Sequence, residues 1–126
     1  MTENFEKYLE TVNFKKQFYN LCKKLKNKRV IIYGCGQLFD FIYNSYDLSN
    51  LNIIGVSDLK FTEKQENETY LGYKIILKSK IQSENPDYVL IASMQYVSVI
   101  KNFDINVKLK PLVRKPFLDV LKEIWS

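Results

Sequence analysis

The sequence predicts an α/β domain: one doubly wound parallel sheet of about four to five strands, preceded by an N-terminal helical segment. Three observations predict it. Apolar runs of strand length alternate with segments of helical period. The runs are continuous rather than alternating, as expected of parallel strands covered on both faces. The first run ends in Gly34-Cys35-Gly36, and a helical period resumes directly after it. Right-handed crossovers between parallel strands then give the doubly wound arrangement.

Residues 3 to 27 read as helix. Phe5, Tyr8, Leu9 and Val12 form one apolar stripe, and Phe14, Phe18, Leu21, Cys22 and Leu25 a second, one step out of phase. The phase jump implies a kink or two short helices, with Thr11 placed to cap the second. Arg29 to Gly34 is a β-branched run ending in glycine and reads as a buried strand. Leu38, Phe39, Ile42, Tyr43 and Tyr46 restore the helical period, and Leu51 to Val56 is a second strand. The polar stretch 59–69 reads as a loop without structure of its own. Gly72 to Ile76 reads as a short third strand, Lys78 to Ser83 as a short helix, and Tyr88 to Ala92 as a fourth strand opened by Pro86-Asp87. A helix over Gln95–Phe103, a last strand over Ile105–Leu109 and an amphipathic helix over Phe117–Trp125 complete the chain. The expected organisation is a helical segment at 1–27 packed on the domain, the nucleotide-binding domain at 28–110, and a C-terminal helical tail of the same domain at 111–126.

Composition narrows the function. With 126 residues, 46% hydrophobic and 26% charged, the chain is long enough for one core without disulfide or metal. It has no histidine and two cysteines, which excludes His-based catalysis, His-containing zinc sites and a four-cysteine zinc site. No apolar run has the length of a membrane span and no leader is visible at Met1–Glu6, so a cytoplasmic protein with no metal is expected. The net charge of +5 raises nucleic acid as a partner. The cations gather instead in a helical face (Lys15 to Arg29) and a tail cluster (Lys108, Lys110, Arg114, Lys115), neither interleaved with aromatics, so none is expected. The tail cluster reads either as solvated surface or as a patch for an anionic partner.

In a doubly wound sheet, ligands bind at the carboxyl ends of the strands, at the switch point beside the first. That rule gathers Gly34–Leu38, Ser57–Lys60 and Ala92–Gln95 around one crevice. A strand, Gly-x-Gly and a helix make a phosphate-binding turn: the first glycine makes the turn and the second lets N–H groups approach a diphosphate. Phe39 stands where a dinucleotide motif has its third glycine. On this reading Gly34→Val abolishes nucleotide binding and leaves the fold largely intact. Asp58 ends the second strand, where an acid accepts hydrogen bonds from a ribose or simply caps the loop. Ser93 and Met94 form the far wall, with Ser93 equally suited to cap the next helix. Cys35 reads as a small turn residue or, at a helix N-terminus, a stabilised thiolate. Tyr96 reads as packing or as a stacking surface for a base. Glu63, Glu66 and Glu68 are expected in solvent, and no Tyr-x-x-x-Lys pair is present.

Taken in order, Val30-Ile-Ile-Tyr-Gly-Cys-Gly-Gln37, Ile53-Ile-Gly-Val-Ser-Asp58, Leu71-Gly-Tyr-Lys-Ile-Ile76 and Asn85-Pro-Asp-Tyr-Val-Leu-Ile-Ala-Ser93 resemble the small Rossmann-like nucleotide-sugar-binding domains of bacterial surface-glycan pathways. Such domains form the N-terminal half of sugar N-acetyltransferases and accessory parts of sugar methyltransferases. The resemblance covers roughly residues 28 to 103. It implies that Gly34, Cys35, Gly36 and Gln37, with Leu38 behind them, line the diphosphate, Asp58 the ribose or base, and Ser93 and Met94 the far wall. It implies a nucleotide-diphosphate sugar as ligand, with chemistry supplied by a partner protein or a missing domain; a catalytic partner or a homodimer is the expected partnership. Leu59 stands in place of the family's second aspartate, and the acetyltransferase's β-helix is absent. Two alternatives stand beside it: an NAD(P)-dependent oxidoreductase or epimerase-type fragment, and a protein-docking domain with a vestigial site.

Overall fold

The Val-Ile-Ile-Tyr run becomes the centre of the sheet because each of those side chains has a covered face to enter. In the computed structural model, which describes residues 2–125, β1 (Arg29–Tyr33) is buried from Val30 onward. β1 pairs in parallel with β2 (Asn52–Ser57) on one side and with β5 (Tyr88–Ile91) on the other, and β5 pairs in parallel with β6 (Leu109–Pro111). The four-stranded order is β2-β1-β5-β6. From β1 the chain steps outward to β2, then returns across β1 to reach β5, so the connections diverge at the carboxyl end of β1.

Alternate strand residues feed two cores, as the two-residue period of a strand requires. Val30, Ile32, Val56 and Leu90 face a core closed by α1 (Thr2–Thr11), α2 (Phe14–Lys24) and α3 (Gln37–Ser45), through Leu9, Phe14, Phe18, Phe39 and Ile42. Ile31, Tyr33, Val89 and Ile91 face the other core, completed by Ile81 and by Tyr96 of α4 (Tyr96–Lys101), with Val120 of α5 (Phe117–Trp125) packed against it. The N-terminal helices therefore pack on the domain. Among the described residues no helix is long and apolar enough to cross a membrane.

Several local expectations are corrected. α1 and α2 do separate near residue 12, but Thr11 does not cap α2: its hydroxyl donates back to the Lys7 carbonyl at 2.8 Å, and Asn13, in the left-handed region at φ 54°, makes the turn. The 59–69 stretch is not featureless. Thr62 and Gln65 form a reciprocal capping box around a 3₁₀ turn at Glu63–Gln65, and Thr69 opens a hairpin of β3 (Thr69–Tyr70) and β4 (Tyr73–Lys74). The expected third strand meets the main sheet through a single parallel bridge, Ile75 with Val56, in which the Ile76 N–H donates to the Val56 carbonyl at 2.8 Å. Lys78–Ser83 is two 3₁₀ turns, Lys78–Lys80 and Gln82–Glu84, rather than one helix. The last strand begins at Leu109, where the expected one ends, because Leu109, Lys110 and Pro111 are the residues in register with Val89, Leu90 and Ile91. Pro86-Asp87 opens β5 for a specific reason: the Asp87 carboxylate accepts the Arg29 N–H at 2.7 Å and ties the starts of β1 and β5.

Candidate functional site

The glycine turn stands at the carboxyl end of β1, where the connections diverge. Gly34 is there by necessity: its φ is +114°, and a Cβ would lie 2.7 Å from the Ala92 carbonyl oxygen. Its N–H donates to the Ser57 carbonyl at 2.8 Å, so it prolongs the β1–β2 ladder by one rung. The expectation that Gly34→Val spares the fold is therefore corrected. Gly36 is different. It is exposed, sits at the N-cap of α3 without a side-chain cap, and a Cβ there would meet nothing within 4 Å. Its own fold does not demand a glycine, so the openness faces outward.

Around this turn the chain has built a clamp on the backbone of one residue, Cys35. The Cys35 N–H donates to the Asp58 carboxylate at 2.7 Å, while the second Asp58 oxygen accepts the Lys60 N–H at 2.9 Å. The Cys35 carbonyl accepts from the Lys60 ammonium, and the Tyr70 hydroxyl, 3.2 Å from the same carbonyl, donates its one proton to the Asp40 carboxylate at 2.5 Å. Lys60 rides over the Tyr70 and Phe61 rings, 4.9 and 5.6 Å from their centroids. Asp58, expected at a ribose, thus directs both carboxylate oxygens at backbone N–H groups. Its contact with Cys35 puts a negative charge on the first amide that a diphosphate would use.

The pKa shifts follow from this enclosure. Burial first, and then the charges of Asp58 and Asp40 against that of Lys60, push the Cys35 thiol up to about 12. The thiol is neutral, fully buried, and donates to the Ser57 carbonyl at 3.6 Å. Cys35 is the small turn residue, not a thiolate. Tyr70 is raised by burial, then by its hydrogen bond to Asp40 and that residue's charge, so it remains a donor.

The other expected residues fall around the same strand ends with unequal access. Gln37 is exposed at the start of α3, whereas Leu38 is buried in the core and offers the crevice only backbone. Phe39, at the third-glycine position, is fully buried with its ring centroid 6.3 Å from that of Tyr73. Ser93 is half-buried and its hydroxyl accepts the Gln95 N–H at 3.0 Å; Gln95, not Ser93, is the N-cap of α4. Met94 is half-buried against the α1–α3 core. Tyr96 is no stacking surface: it is buried, and its hydroxyl accepts the Lys115 N–H at 2.9 Å, pinning the tail. Cys22 is half-buried at the edge of the core.

Lys60, Tyr70 and Asp40 are the residues to which sequence reasoning gave no role. Lys60 lay within the expected crevice, and its spacing of two from Asp58 was the available signal. Tyr70 and Asp40 had none, since only the fold-back of the β3–β4 hairpin brings them to Cys35. Among the described residues no group of three acidic or cysteine side chains is arranged to hold a metal ion.

A four-stranded parallel sheet with helices, an exposed glycine at a helix start and the backbone of the residue before it clamped by side chains define a mixed α/β domain with an open turn at the carboxyl end of its first strand. The chain belongs to the C2185-like N-terminal domain family, whose model matches residues 26–110, from just before β1 to within β6. No match was found among curated proteins or among solved structures.

Proposed function

We propose that the chain is a Rossmann-like, non-catalytic module that binds a phosphate-bearing nucleotide, a nucleotide-diphosphate sugar before others, in a glycan-building pathway whose chemistry resides in a partner. The observation that carries this reading is Gly36: an exposed glycine at the start of α3, where an added Cβ would meet nothing within 4 Å, at the strand end where a doubly wound sheet takes its ligand. The early N–H groups of α3 lie beyond the clamped Cys35 amide, and no side chain caps them, so a phosphate has donors and a favourable dipole there. Gln37 and Ser93 are the polar side chains beside that position.

A second reading, a docking domain whose turn is closed by its own chain, is favoured by the Asp58 carboxylate on the Cys35 amide. Thermal shift with UDP-, GDP-, CDP- and dTDP-sugars, NAD, NADP and coenzyme A separates the two. At ~100 times its dissociation constant a ligand adds about 2.7 kcal/mol, several degrees for a domain of this size. The expected result is a shift with one nucleotide sugar that disappears in Gly36→Val, a variant whose unliganded melting temperature stays close to that of the parent. A shift with NAD or NADP would replace the sugar reading by the oxidoreductase one. No shift with any of them would leave the docking domain.

A further inference from the structure

One stretch of the chain carries cations and no acid. From Thr11 to Phe39 there is no aspartate or glutamate, while Lys15, Lys16, Lys23, Lys24, Lys26 and Lys28 all fall within it. The fold turns that composition into a face. α2 buries Phe14 and Phe18, with Leu21 and Cys22 packed beside them. The helical period then brings Lys15, Lys16, Tyr19, Lys23 and Lys24 together on the exposed side. Beyond the helix, Lys26 and Lys28 stay exposed up to the start of β1, at the opposite end of that strand from the glycine turn.

The neighbouring Arg29 shows a cation used by the fold, since its guanidinium donates to the Glu84 carbonyl at 2.7 Å. None of the six lysines is ion-paired among the described residues, and Lys23 lies over the Tyr19 ring, 5.0 Å from its centroid. The acids of the packed neighbours act on the α3 side. Burial first, and then the charges of Glu10 and Glu6, raise the Tyr46 phenol at the end of α3. Burial, and then the charge of Asp47, raises the Cys22 thiol, and the Asp47 carboxylate also accepts the Ser49 N–H at 3.0 Å.

Three features fit this face to the anionic surface of a lipid bilayer rather than to a nucleic acid. Its charges stand on the convex side of a helix, which meets a plane directly. They are lysines, hydrated point charges suited to a diffuse field, whereas bidentate reading of phosphates calls for arginine. Tyr19, 64% exposed among them, is an amphipathic ring of the kind that sits at headgroup level, and a single strand would call for several such rings to stack its bases. The apolar side of α2 is spent on the core, so the helix can lie on a bilayer without sinking into it.

We infer that the lysine face of α2 docks the domain on an anionic lipid bilayer, with Tyr19 at the headgroups and Lys26 and Lys28 extending the contact. This surface goes beyond the nucleotide reading and does not depend on it.

Co-sedimentation of the full chain with vesicles of phosphatidylcholine containing about 30% phosphatidylglycerol tests the inference. Binding is expected at low salt, is lost as ionic strength rises, and is absent from vesicles of phosphatidylcholine alone. Lys16→Glu with Lys23→Glu should weaken it at least about tenfold, and Lys16→Gln with Lys23→Gln by less. Lys80→Glu with Lys101→Glu makes the same change in net charge at exposed positions elsewhere and should have a much smaller effect. Tyr19→Ser should weaken binding about threefold. Gly36→Val should leave it unchanged, so failure of the nucleotide reading and failure of this one are told apart. Circular dichroism melts of the variants verify the fold. No binding to the anionic vesicles at low salt, or equal loss from the two pairs of reversals, overturns the inference. Displacement from the vesicles by a single-stranded oligonucleotide at equal phosphate concentration also overturns it, and assigns the face to nucleic acid.

Discussion

The two flanks of the sheet's carboxyl end are finished in opposite ways. On the β2 flank the chain folds back from Asp58 through the β3–β4 hairpin, and its own acid and ammonium satisfy the backbone N–H and carbonyl of Cys35. On the β6 flank the strand stops at Pro111, and Arg114 beyond it keeps its charge unpaired among the described residues. The difference teaches where charge has been spent on structure and where it remains for recognition. A polar group already bonded within the fold can serve a ligand only by first giving up that bond, at a cost of the order of the bond itself. An exposed, unpaired cation gives up nothing but water.

The largest expected effect tests whether the clamped flank is rigid by construction. Gly34→Ala places a Cβ against the Ala92 carbonyl and holds a left-handed φ that alanine resists, so a loss of about 3 kcal/mol or more is expected, a fall in melting temperature on the order of 10 °C. Gly36→Ala, two residues on and in open space, should cost about 1 kcal/mol or less. Similar losses in thermal melts of the two variants would dissolve the distinction between a glycine kept for the fold and one kept for a ligand.

A smaller effect sets one flank directly against the other. Asp58→Ala leaves the part-buried Cys35 N–H without its acceptor and should cost roughly 1.5–3 kcal/mol, the range for a hydrogen bond to a charged group. Arg114→Ala removes an exposed side chain with no partner among the described residues and should stay within about 0.5 kcal/mol. Urea denaturation of both variants checks the pair. A cost for Arg114→Ala equal to that of Asp58→Ala would mean that the cation is structural and that the two flanks are finished alike.

The reason the sequence revealed one flank better than the other is physical. β1, β2 and β5 were legible because a strand buried on both faces must be a continuous apolar run, and Gly34 because a positive φ after such a run is a glycine position. β6 was displaced in the reading because an edge strand of three residues ending in proline carries almost no periodic signal. Two-residue β3 and β4 carry even less: their pairing rests on Thr69 opposite Lys74 and Tyr70 opposite Tyr73 across a turn at Leu71-Gly72. Asp58 was correctly marked as a strand-end acid near the turn. That its carboxylate bonds the turn's own amide depends on a distance of 2.7 Å which no spacing rule contains. The bond between Gln17 and Arg114, 97 residues apart, is legible only once α2 lies beside the tail.

The smallest expected effect falls on the one polar atom that the clamped flank leaves over. Ser57 is fully buried at the end of β2, and its carbonyl accepts both the Gly34 N–H and the Cys35 thiol, yet its Oγ has no hydrogen-bond partner among the described residues. A hydroxyl in that position has lost its water without replacement, which disfavours the folded state. Alanine removes the hydroxyl at little change in volume, so Ser57→Ala should be neutral or more stable by up to about 1 kcal/mol in urea denaturation. Were the variant instead less stable by more than about 1 kcal/mol, the hydroxyl would have to be engaged in solution, and the clamp would extend through Ser57 to the Tyr33 side of the sheet. The sign of one small number thus decides where the self-satisfied flank ends.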